Sequence, residues 1–218
     1  MIEANGSETL KIKKSDLWKY STFILVAILI VGAIVFFTGN NNPGNGATGG
    51  TGNVVKNTED FSFADDATLY PFVGPKDAKT TVIAFYDFQC PWCAIASGLP
   101  SFAQQYASQY ADVFGIDKKL KQLADDGEIK LVFATMSFLG DESDYATEAF
   151  LVANEQGKAV EMYELIFSNH DGKENNGKYS KDNLKKLAQK IDGLDQKKFA
   201  DALDSGKYSS SVSKLTSF

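Results

Sequence analysis

The chain has 218 residues, with 22 basic and 28 acidic side chains and a net charge of −6. Every basic residue is a lysine, and the acid excess leaves no basic footprint of the kind that binds nucleic acid. We therefore expect no nucleic-acid partner and interpret the acid excess as a solubility feature.

An uncharged segment from residue 20 to residue 38 is the most apolar part of the chain. It is about long enough to cross a bilayer as a helix. Lys11, Lys13, Lys14 and Lys19 precede it and predict a cytoplasmic N-terminus, with the bulk of the chain outside. A cleaved signal peptide is the alternative, but the segment lacks a convincing small-x-small cleavage site. We expect residues 1–19 to be cytoplasmic and residues 20–38 to form a transmembrane anchor.

Residues 39–57 are dominated by glycine, asparagine and threonine, with almost no large apolar side chain. Such a composition is typical of a flexible tether. The remaining region, residues 58–218, is long enough for one domain with its own hydrophobic core. We therefore expect one extracytoplasmic domain held near the face of the membrane.

Two strands are predicted at the start of this domain. Residues 68–73 form a short edge strand interrupted by Pro71, and residues 79–86 form a buried central strand of mostly β-branched and aromatic residues. Both cysteines of the chain follow the second strand, in the run Cys90-Pro91-Trp92-Cys93. This position predicts a reactive dithiol at the junction of a strand and a helix.

The spacing of the two cysteines suits thiol-disulfide exchange, which needs an attacking thiolate and a second thiol that releases the mixed disulfide. If a helix begins near Cys90, its free amides and macrodipole favour the thiolate there, so Cys90 is the expected nucleophile. Cys93, one turn further along, would be more buried and would act as the resolving thiol. Pro91 suits the first helical turn, and we expect it and Trp92 to tune the thiolate and pack beside the site.

Three alternative roles of the cysteine pair remain open. A structural disulfide would close a very short loop and add little stability. If the pair were half of a zinc site, it would need further ligands, for which the chain offers only His170 and carboxylates. The third alternative is that the two cysteines are close by chance. We expect neither a metal nor a cofactor. An exported protein with no cysteine outside the pair also has no spare thiol to mispair.

A long helical pattern follows the dithiol. It runs from Pro91 to about Val113, with a kink expected at Pro100. Aromatic residues recur on one side of this pattern, and we expect that side to face the core: Phe102, Tyr106 and Tyr110.

The next elements complete a strand-helix-strand unit. A short helix over residues 116–123 and a turn at 125–127 lead to a third strand over 129–135, which predicts a parallel βαβ unit. The remainder of the chain is predicted to contain helices over residues 145–155, 159–167, 181–191, 197–203 and 208–218. The first four lie within a helical insertion of about residues 141–205.

Residues 169–177 are polar and punctuated by glycine. Their oxygen-bearing side chains suggest a calcium loop, but the spacing does not match an EF-hand. We interpret the segment as a solvated loop. We likewise expect His170 to be a surface residue, because nothing in the sequence connects it to the dithiol.

The run from Asp87 to Cys93, preceded by residues 74–78 and the strand over 80–86, resembles the DsbA-like branch of the thioredoxin superfamily. Further similarity lies in Phe138-Leu139-Gly140 and in residues 156–167. The resemblance spans roughly residue 68 to the C-terminus. It implies an α/β thioredoxin-like fold with an inserted helical domain, and extracytoplasmic thiol-disulfide exchange with protein substrates.

The chain departs from the family pattern on the C-terminal side. The family carries a cis-proline loop that faces the dithiol before a final β-hairpin and helix. This chain has no proline after Pro100, and its last segment is predicted to be a helix. On this comparison, the last strands of the sheet are expected to be missing.

These features predict a membrane-anchored oxidoreductase in which Cys90 and Cys93 are catalytic. Exported proteins are the expected substrates, and a membrane protein is a possible redox partner. The exported location favours the oxidising direction. Two alternatives remain: a client-binding or assembly module without redox turnover, and an incomplete fragment of a longer oxidoreductase.

Overall fold

The computed structural model describes residues 61–215. The predicted cytoplasmic segment, the anchor over 20–38 and the linker over 39–57 lie outside the described residues. Within residues 61–215, no helix combines the length and the apolar character needed to cross a bilayer.

The described region contains a three-stranded sheet in the order β1-β3-β2. Its strands are β1 (Phe72–Val73), β2 (Thr81–Tyr86) and β3 (Lys130–Thr135). β2 and β3 are parallel, with Thr81 opposite Lys130 and Tyr86 opposite Thr135, whereas β1 is antiparallel to β3. The predicted parallel βαβ unit is therefore confirmed.

The prediction that residues 79–86 form the buried central strand is wrong. β3 is central, and all six of its residues are buried. β2 lies at the edge of the described sheet, where Thr81 and Phe85 are exposed and Tyr86 is buried. A run of β-branched and aromatic residues is compatible with an edge strand and with a central strand, because such residues pack well whether one face or both faces of the strand are covered. The first predicted strand is also shorter than expected and comprises only Phe72 and Val73. Pro71 has no N–H to donate and contributes only its carbonyl, which accepts the amide of Phe133 at 2.8 Å.

The long helix predicted from residue 91 to residue 113 is broken. Helix α1 spans Pro91–Ser97 and ends at Gly98, whose φ of 63° lies in the left-handed region. A Cβ atom at Gly98 would lie 2.7 Å from Cα of Gly115, so the chain also needs a glycine there for close approach. A 3₁₀ helix, Ser101–Tyr106, follows Pro100. The helix therefore ends before Pro100, instead of continuing through a kink there.

The other predicted helices are present, several with shifted ends, and residues 216–218 of the last predicted helix lie outside the described residues. Helix α2 spans Ile116–Asp125 and leads through the turn at Gly127 into β3. Helix α3 begins four residues earlier than predicted, with Asp141, Glu142 and Asp144 in its first turn, where carboxylates complement the helix dipole. The remaining bounds are α3 Asp141–Asn154, α4 Ala159–Ser168, α5 Lys181–Ala188, α6 Gln196–Asp204 and α7 Ser209–Leu215.

Aromatic side chains join the sheet to the helices that follow it. Tyr163 of α4 lies with its ring centroid 5.4 Å from Tyr86 of β2 and 5.2 Å from Phe133 of β3. Phe88 packs at 5.3 Å from Phe167 and is fully buried. Each such ring stabilises the fold by about 1.5–3 kcal/mol through burial. The chain that leads into the dithiol is therefore anchored in the core two residues before Cys90.

Candidate active site

The dithiol lies where the chain passes from β2 into α1. Cys90 directly precedes the helix in an extended conformation, with φ −71° and ψ 117°, and Pro91 occupies the first helical turn as predicted. Cys93 follows in that turn, and both cysteines are free thiols. The local sequence folds this way because proline has its φ preset for a helix start and needs no amide partner there.

The environment of Cys90 favours its thiolate. A hydrogen bond from the Cys93 thiol is the main cause, followed by the backbone amides of Cys93 and Trp92, and together they lower the pKa of Cys90 from 9.0 to about 6. Partial burial and the charge of Asp87 act in the opposite direction. Amides converging on one sulfur are the local arrangement that activates a cysteine. Cys90 is therefore the better nucleophile and the better leaving group of the pair.

The environment of Cys93 has the opposite effect. Its hydrogen bond to the Cys90 sulfur and its deeper burial raise the pKa of Cys93 well above the ordinary thiol range. The side chain packs against the hydrophobic core. The two thiols therefore differ in the way expected of an attacking and a resolving cysteine.

An exposed aromatic side chain, Trp92, lies in the first turn of α1 and packs against a partly buried tyrosine. Trp92 is 57% exposed and packs edge-on against Tyr110, with the ring centroids 5.0 Å apart. Tyr106 lies 6.1 Å from Tyr110. Phe102 is only partly buried but packs against the core as expected. For Tyr106 and Tyr110 the expectation is wrong, because both are partly buried and Tyr110 packs against Trp92 and Tyr106 instead. The helical phase used for that prediction fails because the helix ends at Gly98.

Asp87 is a site residue to which the sequence motif assigns no role. Its carboxylate is buried and accepts four hydrogen bonds: from the amides of Gln89 at 2.8 Å, Phe138 at 2.9 Å and Leu139 at 3.1 Å, and from the hydroxyl of Ser143 at 2.7 Å. These bonds tie the approach to the dithiol to the loop after β3 and to helix α3. The sequence signal for this role is an acidic residue directly after an apolar strand. A carboxylate that is buried there requires hydrogen-bond donors around it.

Gln89, directly before Cys90, is held by the loop over residues 169–177. Its Oε1 accepts the amide of Asn175 at 2.6 Å, and its Nε2 lies 3.2 Å from Asn175 Oδ1 and 3.1 Å from Ser143 Oγ. Asn175 also donates to the carbonyl of Leu139 at 2.7 Å, and its φ of 49° is left-handed. The loop is therefore more than the solvated connection expected from its composition.

The prediction that His170 is a surface residue is wrong. The side chain is 3% exposed, with Nε2 2.9 Å from the carbonyl oxygen of Gln89 and Nδ1 2.9 Å from the amide of Gly172. Its ring lies between Phe102 and Tyr179, at centroid distances of 5.5 Å and 6.0 Å. The contact crosses 81 positions of sequence. A local pattern carries no signal of such a pairing.

Comparison with known families decides what this arrangement belongs to. The family model described as DSBA-like thioredoxin domain matches residues 81–217, well over half of the chain. The chain belongs to this DsbA-like family. The predicted class, a protein thiol-disulfide oxidoreductase with a thioredoxin-like α/β fold, is thereby confirmed at the level of the family.

Solved structures with DsbA-like folds resemble the chain at low sequence identity. Oxidised BdbD from Bacillus subtilis matches with a TM-score of 0.52 and 20% identity, covering 69% of this chain and 74% of that one. MdbA from Actinomyces oris, a thiol-disulfide oxidoreductase, matches with a TM-score of 0.52 and 18% identity, covering 69% of this chain and 71% of that one. DsbA from Chlamydia trachomatis matches with a TM-score of 0.50 and 18% identity, covering 80% of this chain and 77% of that one. No curated protein sequence gives a significant match.

The zinc-site alternative finds no support in the described part of the DsbA-like domain. Among residues 61–215, no three side chains of the histidine, cysteine, aspartate or glutamate type cluster closely enough to hold an ion. His170, the candidate zinc ligand considered from the sequence, instead uses both ring nitrogens in hydrogen bonds to backbone groups.

Proposed function

We propose that this protein is a membrane-anchored thiol-disulfide oxidoreductase that acts outside the cytoplasm on exported proteins. It exchanges disulfides through Cys90 and Cys93, in the oxidising direction. The observation that carries this proposal is the asymmetry of the dithiol, in which the environment lowers the pKa of Cys90 to about 6 and raises that of Cys93.

The reaction begins with the Cys90–Cys93 disulfide. A substrate thiolate attacks Sγ of Cys90, the bond to Cys93 breaks, and Cys93 leaves as a thiolate that takes up a proton. A second substrate thiolate then attacks the substrate sulfur of the mixed disulfide, which forms the substrate disulfide and releases Cys90 as a thiolate. Two electrons pass from the substrate to the dithiol. The second step is favoured because a thiolate of low pKa leaves readily.

The low pKa of Cys90 also supports the oxidising direction. Stabilising the Cys90 thiolate stabilises the reduced protein, and a dithiol with a stabilised reduced form is the stronger oxidant. Return to the disulfide requires a two-electron acceptor, for which a membrane protein is the proposed partner. Pro91 and the exposed Trp92 flank the reacting sulfur and are positioned to contact substrate.

The proposed location rests on the sequence before the domain. The apolar segment over residues 20–38 follows four lysines, and a cytoplasmic N-terminus puts residues 58–218 outside. Disulfides persist in such oxidising compartments. The linker over 39–57 allows the domain to sample substrates near the membrane face.

A redox titration tests the activity. The full-length protein in detergent micelles is equilibrated in glutathione buffers, and free thiols are trapped with a bulky maleimide and counted by the shift in mass. A two-electron transition with a midpoint well above about −200 mV supports an oxidase, whereas a midpoint near −270 mV indicates a reductase. Client binding that is unchanged with alanine at both cysteines would instead support a binding module.

Labelling of intact cells tests the location. The chain has only two cysteines, both in the dithiol, so a membrane-impermeant maleimide reports the side on which Cys90 lies. We expect labelling of reduced protein without lysis. The matched control is Cys90→Ser with Cys93→Ser, which should give no signal. Labelling only after lysis would contradict the proposed orientation.

A further inference from the structure

The peptide unit between Gln89 and Cys90 is held at both of its polar groups. Its carbonyl oxygen lies 2.9 Å from Nε2 of His170, and its N–H donates to the carbonyl of Asp87 at 3.0 Å. Because a peptide unit is planar, fixing both groups fixes the orientation of the whole plane. That plane sets the φ angle of Cys90 and thus the direction in which its side chain leaves the backbone.

The hydrogen bonds of His170 require one form of the ring. The amide of Gly172 donates to Nδ1 at 2.9 Å, so Nδ1 carries a lone pair and no proton. Nε2 must then carry the proton and donate to the carbonyl of Gln89. A protonated ring would set an N–H at Nδ1 against the N–H of Gly172. His170 is therefore matched to its two partners only as the neutral Nε2–H tautomer.

The surroundings of His170 favour that neutral form. Burial is the main effect and lowers the pKa of the ring, with Lys178 acting in the same direction. The carbonyl of Gln89 and the charges of Asp171 and Glu174 act in the opposite direction without reversing the shift. The donor to Gln89 is thus neutral and acts by geometry, so it adds no net charge beside the dithiol.

We propose that His170 is a positioning residue for the dithiol, which holds the Gln89–Cys90 peptide unit so that Sγ of Cys90 faces the amides of Trp92 and Cys93. This inference rests on the proposed function, because it assigns to His170 an effect on thiol exchange. Without the Nε2–H donor, the peptide plane can rotate and bring the negative end of the carbonyl dipole towards the sulfur. A negative dipole end destabilises the thiolate, and therefore the reduced protein.

Two substitutions distinguish the effect of the Nε2–H donor from the effect of the aromatic ring. His170→Phe keeps a planar ring between Phe102 and Tyr179 but has no donor, whereas His170→Gln keeps an N–H near the position of Nε2. Tyr179→Phe is the matched control, because it removes a buried hydrogen bond to the carbonyl of Ile166 and leaves the contact with Gln89 intact. All three are made in the full-length protein.

The experiment measures the pKa of Cys90 and the equilibrium constant with glutathione. We expect His170→Phe to raise the pKa of Cys90 by about one unit and to change the equilibrium constant about tenfold in favour of the disulfide, equivalent to a fall of about 30 mV in potential. His170→Gln and Tyr179→Phe should stay within about twofold of the unmodified protein. Wild-type values in His170→Phe, or equal shifts in His170→Phe and His170→Gln, would overturn the proposal.

A measurement on the unmodified protein keeps the proposal testable if His170→Phe does not fold. His170 is the only histidine of the chain, so nitrogen spectra of histidine-labelled protein report this ring alone. We expect the neutral Nε2–H tautomer at neutral pH, with an Nε2 shift that changes as Cys90 ionises. A protonated ring, an Nδ1–H tautomer or a shift insensitive to Cys90 would overturn the proposal. A wild-type protein without a glutathione-dependent transition would instead defeat the proposed function, and the tautomer would still be readable.

Discussion

The hydroxyl of Tyr163 donates a hydrogen bond of 2.6 Å to Oδ2 of Asp117, and this pair is buried where α2 meets α4. Burial raises the pKa of Asp117, while the hydrogen bond from Tyr163 opposes that shift. The carboxyl group is therefore kept in the core at a cost to stability whenever it is ionised.

The pH dependence of this cost has a definite sign. A carboxyl group with a raised folded-state pKa binds its proton more tightly in the folded state than in the unfolded state. The free energy of unfolding is then highest below the ordinary value of 3.8 and falls as the pH rises to the folded-state value. We expect Asp117→Asn to stabilise the protein by about 1 kcal/mol at neutral pH, measured by urea unfolding. The gain should vanish in acid, and a constant gain at every pH would contradict this account.

Replacing Tyr163 by phenylalanine provides the matched variant. It leaves the buried carboxylate of Asp117 without its donor, so we expect a loss of about 1–3 kcal/mol at neutral pH. The double variant with Asp117→Asn should recover part of that loss, because an amide is cheaper to bury than a charge. Additive effects of the two substitutions would show that the hydrogen bond is not what couples them.

A second prediction concerns the thiol of Cys93 as a hydrogen-bond donor. Since this donor is the main cause of the low pKa of Cys90, Cys93→Ala should raise the pKa of Cys90 towards 9, while Cys93→Ser, which keeps a hydroxyl donor, should leave it near 6. The measurement is the rate of alkylation of Cys90 as a function of pH. Equal midpoints in the two variants would assign the shift to the backbone amides instead.

The same shift predicts a pH-dependent stability of the reduced protein. A thiol whose pKa is lowered on folding releases its proton more readily in the folded state, so the stability it contributes is present above 9 and is lost as the pH falls towards 6. Thermal melts of the reduced protein should therefore show a rise in Tm between these values. Cys90→Ser, which does not titrate there, should not show that part of the rise.

A fourth prediction concerns the carboxylate of Asp87. Asp87→Ala leaves two buried and two partly buried donors without an acceptor, and we expect a loss on the order of 3 kcal/mol, measured by urea unfolding. Ser143→Ala removes only one of these bonds and should cost about 1 kcal/mol. Asp87→Asn removes the charge that opposes the Cys90 thiolate, so the pKa of Cys90 should fall further. An unchanged or higher pKa in Asp87→Asn would show that the carboxylate acts mainly through geometry.

A fifth prediction compares two glycines. Gly98 and Gly157 both have a left-handed φ, of 63° and 69°, but only Gly98 faces backbone atoms where a Cβ would lie. Gly157→Ala should cost about 1–2 kcal/mol from conformation alone. Gly98→Ala should cost more, because the end of α1 must move away from Gly115. Equal losses in thermal unfolding would show that the chain relieves the contact freely.

The parts of the fold that could be predicted from the sequence depend on short-range pattern. The order of strand, dithiol and helix follows from the apolar run before Cys90 and from Pro91, and the βαβ unit follows from the spacing of two apolar runs. The edge position of β2 could not be predicted, because composition does not determine which neighbours a strand finds. The early end of α1 was missed because Gly98 takes a left-handed conformation that the helical pattern does not reveal.

The reactive cysteines of the site could be predicted from the sequence, but the residues that contact the chain around them could not. Cys90 and Cys93 are identified by residue type and spacing alone. Gln89, His170 and Asn175 meet across 81 to 86 positions of sequence, and their residue types are ordinary in surface loops. A polar residue in a loop becomes part of a site only when the fold brings it to a buried partner.

The contacts of Gln89 also have an evolutionary consequence. Its side-chain amide meets Asn175 and Ser143, and Nε2 also lies 3.3 Å from the carbonyl oxygen of Leu139. A change at Gln89 therefore removes the acceptor of the Asn175 amide, and a change at Asn175 or Ser143 removes one of the acceptors of Nε2. Tolerated substitutions should therefore occur in compensating sets rather than singly. The exposed positions between His170 and Asn175, such as Lys173, should vary independently. For the design of chimeras, the loop and the residue before the nucleophile form one exchangeable unit.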